Sequence, residues 1–527
     1  MENAASGGRN GGGYVNHPAR TDATMTYTTR LALTMSTLAS VGAEVRERVA
    51  EVVTRHRDRI DQDILAFLAR PVSPTGVLEF EHRLAARLRE FGRELVEEVC
   101  NRLEGDDPNA LPTHIHLDGE EYRIVRAKTR QPVDTVFGPI TLWRHLYRPV
   151  TRDSAEPSIA PLAEALGVVQ NTTPGLAEAA VRYLAEAGAT QRVVQDRLRT
   201  QHGVGIGTGR LRALADHVRT RMAAARPDAQ VRRVLELLRE ADRSSGSRKP
   251  VVSVGRDGIT LRGSTNGLFE VASAATLTVL DRGGRRLGSV YLAYAPESGQ
   301  GQMSDQLTRL IDGVLAGWDG PVPRLAYVTD AGENETQYYD RVLRPMTHPR
   351  TGDKVEWQRV VDFYHAMERV WALAAALFGP NTPAANGWAR RRGRVRKGPN
   401  GPFRVLHAAA AVRRGRRPSP TDRDEYRKAY NDLRTRTRWM QYHTYKGQHV
   451  PIGSGVTEAA CKTIFTQRLK LSGMRWTKAG AQVILDLRVV LLSGIWEDTY
   501  RQVLQTYTYS ELRTPDRHAD IPVQIAA

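Results

Sequence analysis

Cysteine is nearly absent from this chain: Cys100 and Cys461 are the only two in 527 residues. Two distant thiols make neither a zinc knuckle nor a disulfide framework, so nothing requires an oxidising compartment. Long apolar runs are missing too. None approaches the ~20 residues that span a bilayer, and residues 1–25 lack the apolar core of a secretory leader. No internal repeat stands out. Acidic residues are in deficit, with 58 Asp+Glu against 76 Lys+Arg and a formal net charge of +18. The expectation is a cytoplasmic protein with access to nucleic acid.

What is present is a chain with 41% hydrophobic and 25% charged residues. That length suggests roughly three domains at ~150 residues each. A basic excess steers polyanions and releases counterions from nucleic acid, so DNA, RNA and acidic membrane surfaces all suit the charge. Arg far outnumbers Lys. Its planar fork fits phosphates, although a GC-rich genome gives the same bias.

Composition and periodicity divide the chain. Residues 1–25, rich in Gly, Asn, Ala and Ser, read as a disordered tail, and 26–112 as a helical region. Within it, Leu78, Phe80, Leu84, Leu88, Phe91, Leu95 and Val99 recur at helical spacing. Residues 113–150 alternate like a small β-hairpin module. Residues 151–245 are helical again. There a helix from Pro174, a second capped by Thr190, a glycine turn and a basic helix opened by Thr208 outline a helix-turn-helix. Arg210 and Arg212 would start its recognition helix. Short helices joined by glycine turns also build ordinary bundles, and that reading stays open.

Residues 246–365 read as three strands, a helix, a strand, a helix and a strand. The strands are Val251 to Asp257, Phe269 to Asp281, Arg286 to Tyr294, Arg324 to Asp330 and Val355 to Asp362. That order matches an α/β ribonuclease-H-like core. Residues 366–450 form an α-helical insertion with two basic clusters, Arg390 to Lys397 and Arg413 to Arg417. Residues 451–510 carry a glutamate helix and C-terminal helices, and 511–527 are a tail.

Asp257 and Asp330 end strands that lie side by side in this topology, so their carboxylates should meet. Glu458 falls in the first turn of a helix capped by Ser454 and would point onto the sheet. Phosphodiester cleavage needs a deprotonated attacking oxygen and a stabilised leaving oxygen. Two hard cations ~3.5–4 Å apart supply both, and carboxylates hold such cations. A turn at Asp257–Gly258, a loop cap at Asp330 or an acid against a helix dipole at Glu458 would explain each residue singly. The trio in this strand order is harder to explain that way. Lys462 and Arg468 would share the face of Glu458 and hold DNA phosphates.

Val328 to Gly332 followed by Asp362 to Ala366 resembles the transposases whose second aspartate is followed by an acid and a histidine three residues apart. Ile452 to Lys462, with Gln467 to Trp476, is similar to the glutamate block of DDE-type transposases of the Kra-type insertion-sequence group. The resemblance spans about residues 250–500. Residues 137–144 resemble the small N-terminal hairpin of the same group, although no cysteine pair follows here. The resemblance implies that Asp257, Asp330 and Glu458 bind Mg2+, with Mn2+ as an alternative. Asp362 and His365 would be auxiliary. The implied activity is DNA strand cleavage and strand transfer of an insertion sequence. The partners would be element-end and target DNA, engaged by a homodimer or higher oligomer, with no membrane involved. Arg391, Arg392, Arg394, Lys462, Arg468, Arg475, Arg210 and Arg212 are the expected DNA contacts. A domesticated descendant that only binds DNA, or a ribonuclease-H-fold nuclease that only hydrolyses, are the alternatives.

Overall fold

The computed structural model describes residues 38–104, 111–117, 120–151, 156–262, 269–415 and 419–505. The expected tails, and Arg416 and Arg417, lie outside the described residues. The chain forms two compact units, one of Met1–Gln131 with Thr141–Ala163 and one of Pro132–Ile140 with Glu164–Ala527. The separate segments anticipated between 164 and 505 therefore share one unit.

In the smaller unit, helices Leu38–Leu68 and Pro74–Arg102 form a hairpin. Pro74 sits in the first turn of the second helix, and Ser73 caps it through Oγ to Gly76 N. A three-stranded sheet, β1 (His114–Leu117), β2 (Glu120–Thr135) and β3 (Gly138–Pro149), follows. The alternation predicts a β-hairpin; the structure has three strands here.

The larger unit is built on a mixed sheet of β4 (Val251–Arg262), β5 (Phe269–Leu280), β6 (Arg286–Tyr294), β7 (Arg324–Thr329) and β8 (Trp357–Val361). The strand order is β6-β5-β4-β7-β8. β4 and β5 pair antiparallel, as do β5 and β6; β4, β7 and β8 run parallel. The apolar runs of these strands are buried on both faces, as parallel strands require. One face packs on helix Gly301–Gly317 and the C-terminal half of helix Thr208–Arg243. The opposite face carries the glutamate helix and Lys478–Leu492 toward β6. Toward β8 it carries the helices between 363 and 450. The insertion thus shares a core with the sheet.

Helices Pro174–Ala185, Gln191–His202 and Thr208–Arg243 occur where expected, and Thr190 Oγ1 caps the second by accepting from Val193 N at 3.2 Å. The third has 36 residues, and Gly207, not Thr208, is its N-cap. Its buried stripe from Leu211 to Ala241 docks on the sheet and on the last two helices. Among the described residues no single helix is long and apolar enough to cross a membrane. The apolar residues of the last two helices, bent by 112°, lie in the core.

Candidate metal centre

Register brings the acids together. β4 meets β7 from Val251 opposite Arg324 to Gly255 opposite Val328, and β7 meets β8 up to Thr329 opposite Val361. Carried forward two residues in the first ladder and one in the second, these registers set Asp257, Asp330 and Asp362 level on three neighbouring parallel strands. Period-2 alternation puts Asp257 on the same face as Gly255. One expectation needs correction: Asp257 does not end its strand. β4 continues to Arg262 against β5, and only its pairing with β7 stops before Asp257.

The glutamate helix, Gly455–Cys461, lies against this face. Gly255 admits it, because a Cβ there would stand 1.9 Å from Thr457 Oγ1. Thr457 Oγ1 also hydrogen-bonds Thr276 Oγ1 at 2.8 Å, and Cys461 Sγ donates to Asp257 Oδ2 at 3.6 Å. Glu458 therefore leaves the first turn toward the level of the aspartates. Ser454 occupies the N-cap position but makes no side-chain cap. Its Oγ lies 2.9 Å from Asp362 Oδ2 and 2.8 Å from Glu458 Oε1. One hydroxyl proton serves two carboxylate oxygens, so one of the two contacts lacks a proton unless a carboxyl is protonated.

The acids are not neutralised. Among the described residues no Lys or Arg forms an ion pair with Asp257, Asp330 or Glu458; Glu458 meets His365 Nε2 at 3.9 Å. Burial pushes the Asp257 carboxyl above the ordinary carboxylate range. The charges of Asp330 and Glu458 push the same way, while the Gly258 N–H and Cys461 pull against them. Burial and the charges of Asp257 and Glu458 push the Cys461 thiol far up, which keeps it protonated.

Asp362 plays a different part. It is fully buried. Oδ1 accepts from Tyr364 N at 2.6 Å and His365 N at 2.8 Å, capping helix Phe363–Phe378. Oδ2 accepts from Ser454 N and Oγ. Asp362, His365 and Glu458 are the one acid/His/Cys trio among the described residues whose ligand atoms all lie within 4.8 Å of one another. Yet four hydrogen bonds already occupy Asp362. Its chemistry is that of a clasp between β8, the following helix and the glutamate helix. Asp257, Asp330 and Glu458 form a wider set.

No protein-family model matches the chain, and no curated protein matches it.

The expected DNA contacts divide by burial. Arg391, Arg394, Lys462, Arg475 and Arg212 are exposed, and Arg392 is half-buried beside Trp388. Two expectations fail. Arg468 is buried with Nε donating to Leu184 O at 2.8 Å, so it does not share an open face with Glu458. Arg210 is occupied by Asp134 Oδ2, Gln170 O, Asn171 O and Thr172 Oγ1, all at 2.6–2.7 Å. A guanidinium so engaged is not free to read a base edge. Arg396, inside the first basic cluster, is likewise buried, with Nη2 on Phe363 O.

Sequence reasoning missed Glu335, in the helix that follows Asp330. It is buried, and burial together with the charge of Asp330 raises its carboxyl above the ordinary range. Its place five residues beyond a strand-end aspartate was the available signal. Ala331, between them, sits at φ 64°, a left-handed conformation that costs a non-glycine residue ~1–2 kcal/mol. Arg436 Nη2 donates to its carbonyl at 3.0 Å and pins the turn.

Proposed function

We propose that this chain is a metal-dependent transposase, built on a ribonuclease-H-like core, that cuts and joins DNA strands. The observation that carries the proposal is the level placement of Asp257 and Asp330 on adjacent parallel strands under the Glu458 helix, with no Lys or Arg to neutralise them. The strand order β6-β5-β4-β7-β8, with β4, β7 and β8 parallel, supports the fold assignment. Unneutralised carboxylates beside one another are unstable unless a cation or proton joins them.

The donor set suits Mg2+ or Mn2+. The acids offer the hard oxygens that these ions prefer. Asp257, Asp330 and Glu458 would hold the metal. When bound, such ions supply an activated water and stabilise the leaving oxygen. The protein's own residues do the rest. Asp362 and Ser454 fix where the glutamate helix starts, and Ser454 orients the Glu458 carboxylate. His365, half-exposed beside Glu458, would orient a DNA phosphate or the Glu458 carboxylate. Lys462, Arg475, Arg391 and Arg394 offer exposed cations for phosphates, and Arg212 is the cation left at the start of the long helix for base contacts. The 3′ hydroxyl freed by hydrolysis would then attack a target phosphodiester, forming a new P–O bond as the bond to the target's own 3′ oxygen breaks and that oxygen leaves as a 3′ hydroxyl, with no covalent protein intermediate.

The test uses DNA from the ends of the encoding element, in magnesium. Wild type should nick it and join it to a target plasmid; Asp257→Asn, Asp330→Asn and Glu458→Gln should each reduce both by at least ~100-fold while retaining DNA binding. Nicking without joining would point to a hydrolytic nuclease. Binding without nicking would point to a protein that has lost catalysis. Near-normal cutting by any of the three variants removes that residue from the metal site.

A further inference from the structure

The helical hairpin of the smaller unit has three sides. One is internal: Phe67 stacks on Phe80 with centroids 4.6 Å apart, Asp63 accepts from Arg87 at 2.9 Å, and His56 meets Glu94 at 3.1 Å. Those pairs run in opposite directions along the two helices, so the helices are antiparallel. A second side holds β3: Glu97 accepts from Thr141 N, and Asn101 bonds Thr141 O and Trp143 N. The third side leaves apolar side chains exposed.

Helix Leu38–Leu68 leaves Val53, Ile64 and Leu68 exposed, and Pro74–Arg102 leaves Val77, Leu88 and Val99 exposed, at 36–69%. No residue of the second helix is fully buried, although its apolar residues recur at helical spacing. Several of these side chains lie one position after an internal one: Val53 after Val52, Ile64 after Asp63, Leu68 after Phe67 and Leu88 after Arg87. One position is a turn of ~100°. The same sense of rotation on two antiparallel helices brings both stripes to the same side. The hairpin thus carries an apolar stripe on this side, while Leu65 and Leu78, also exposed, lie on the outer side.

We propose that this face is a homodimer interface, on which the hairpins of two copies pack as a four-helix bundle. Charge disfavours DNA as the partner. The two helices together hold ten Arg against twelve Asp+Glu, a formal charge of −2 within a chain of +18. Six of the ten Arg already pair with acids of the hairpin itself, so what the face leaves uncovered is apolar surface, which a second copy of the same stripe covers. Size agrees. Helices of 31 and 29 residues are ~45 Å long at 1.5 Å per residue, and two widths of ~10 Å give a face of ~900 Å² per copy. A standard interface uses ~800 Å² per partner. The inference does not depend on the nuclease reading.

Sedimentation velocity of the full chain from 1 to 50 μM tests it. The expected species is a dimer. Ile64→Lys with Leu88→Lys should raise the dimer dissociation constant at least ~100-fold, with circular dichroism and melting behaviour preserved. Val53→Lys with Val99→Lys is a second variant pair for the same measurement should the first not fold. Val271→Lys, at an exposed apolar position of β5, should leave the dimer intact. A monomeric wild type over this range overturns the proposal, as does a dimer that survives both paired substitutions. A wild type that dimerises only after deletion of residues 1–37 also overturns it, because that segment would then be the occupant of the face.

Discussion

At the scale of single residues, the sign of a stability change separates ligands from clasps. Asp257 and Asp330 lie close without cations, and burial makes the charge on Asp257 costly. Replacing either by Asn removes repulsion and keeps shape. Asp257→Asn should therefore stabilise the metal-free protein by about 0.5–2 kcal/mol, as relief of a strained active site commonly does, while abolishing any rise in melting temperature on adding magnesium. Asp362→Ala should act in the opposite direction. It removes the acceptors for Tyr364 N, His365 N and Ser454, leaves buried donors unpaired, and should destabilise by about 2–4 kcal/mol. Urea unfolding in chelator reads both. A stabilising Asp362→Ala would make Asp362 a ligand, not a clasp.

At the scale of elements, two contacts decide whether the glutamate helix reaches the sheet. The first is Gly255 under Thr457. Gly255→Ala should push the helix off β4 and lower strand cleavage by at least ~10-fold. Adding Thr457→Ala removes the oxygen that stands 1.9 Å from the new methyl, though Thr457 Cβ remains at 3.1 Å. The double variant should recover part of the activity, and simple additivity of the two losses would show that this contact does not set the helix. The second is the pair of buried guanidiniums at the C-terminus of helix Pro174–Ala185. Arg468 donates to Leu184 O and Arg488 to Ala185 O, satisfying terminal carbonyls where the helix dipole favours cations. Burial and the neighbouring Arg488 hold Arg468 down at about 10. Arg468→Ala should lower the unfolding free energy by at least ~2 kcal/mol and leave the salt dependence of DNA binding unchanged. Arg391→Ala with Arg394→Ala, on an exposed helix face, should do the reverse: little effect on stability and a shallower salt slope, by up to ~2 in log–log units. Equal salt slopes for wild type and this variant would place the helix away from DNA.

At the scale of the whole molecule, the long helix Thr208–Arg243 is a spine that meets the sheet, helix Gly301–Gly317 and the last two helices. Its stability should report acid sensitivity. His217 lies buried on it; burial first, then the charge of Arg221, depress its pKa to about 4, with Asp216 opposing. The folded state thus refuses a proton that the unfolded chain accepts below its ordinary value near 6.5. The stability associated with a neutral His217 is complete above pH 6.5. It is lost as pH falls toward 4, at up to ~1.4 kcal/mol per pH unit. His217→Gln should flatten unfolding free energy between pH 6.5 and 4.5 relative to wild type. Identical slopes for the two proteins would remove His217 from the account.

The sequence by itself determined what is local and periodic. Alternation and turn residues marked the five strands of the main sheet and their order along the chain. Thr190 caps its helix as its place before the periodic stretch predicts, and the charge balance gives a net charge of +18. The nearness of Asp257 and Asp330 was legible because two apolar runs end at carboxylates and adjacent parallel strands carry their ends to one level. Tertiary structure decided everything that depends on burial and on which partner lies across a contact. An arginine reads the same in sequence whether it faces solvent or a helix terminus; only packing made Arg210 and Arg468 internal fasteners and left Arg391 and Arg212 outside. Ser454 has the composition of a cap, yet its hydroxyl turned to Asp362 and Glu458 once β8 stood beside it. Glu335 joined the acids because the chain reverses sharply at Ala331, a backbone conformation that no side-chain pattern announces. The apolar stripe of the first hairpin was visible as periodicity, but periodicity cannot distinguish a face buried within the chain from one left bare. That distinction belongs to three-dimensional contact, which fixes which atoms lose water.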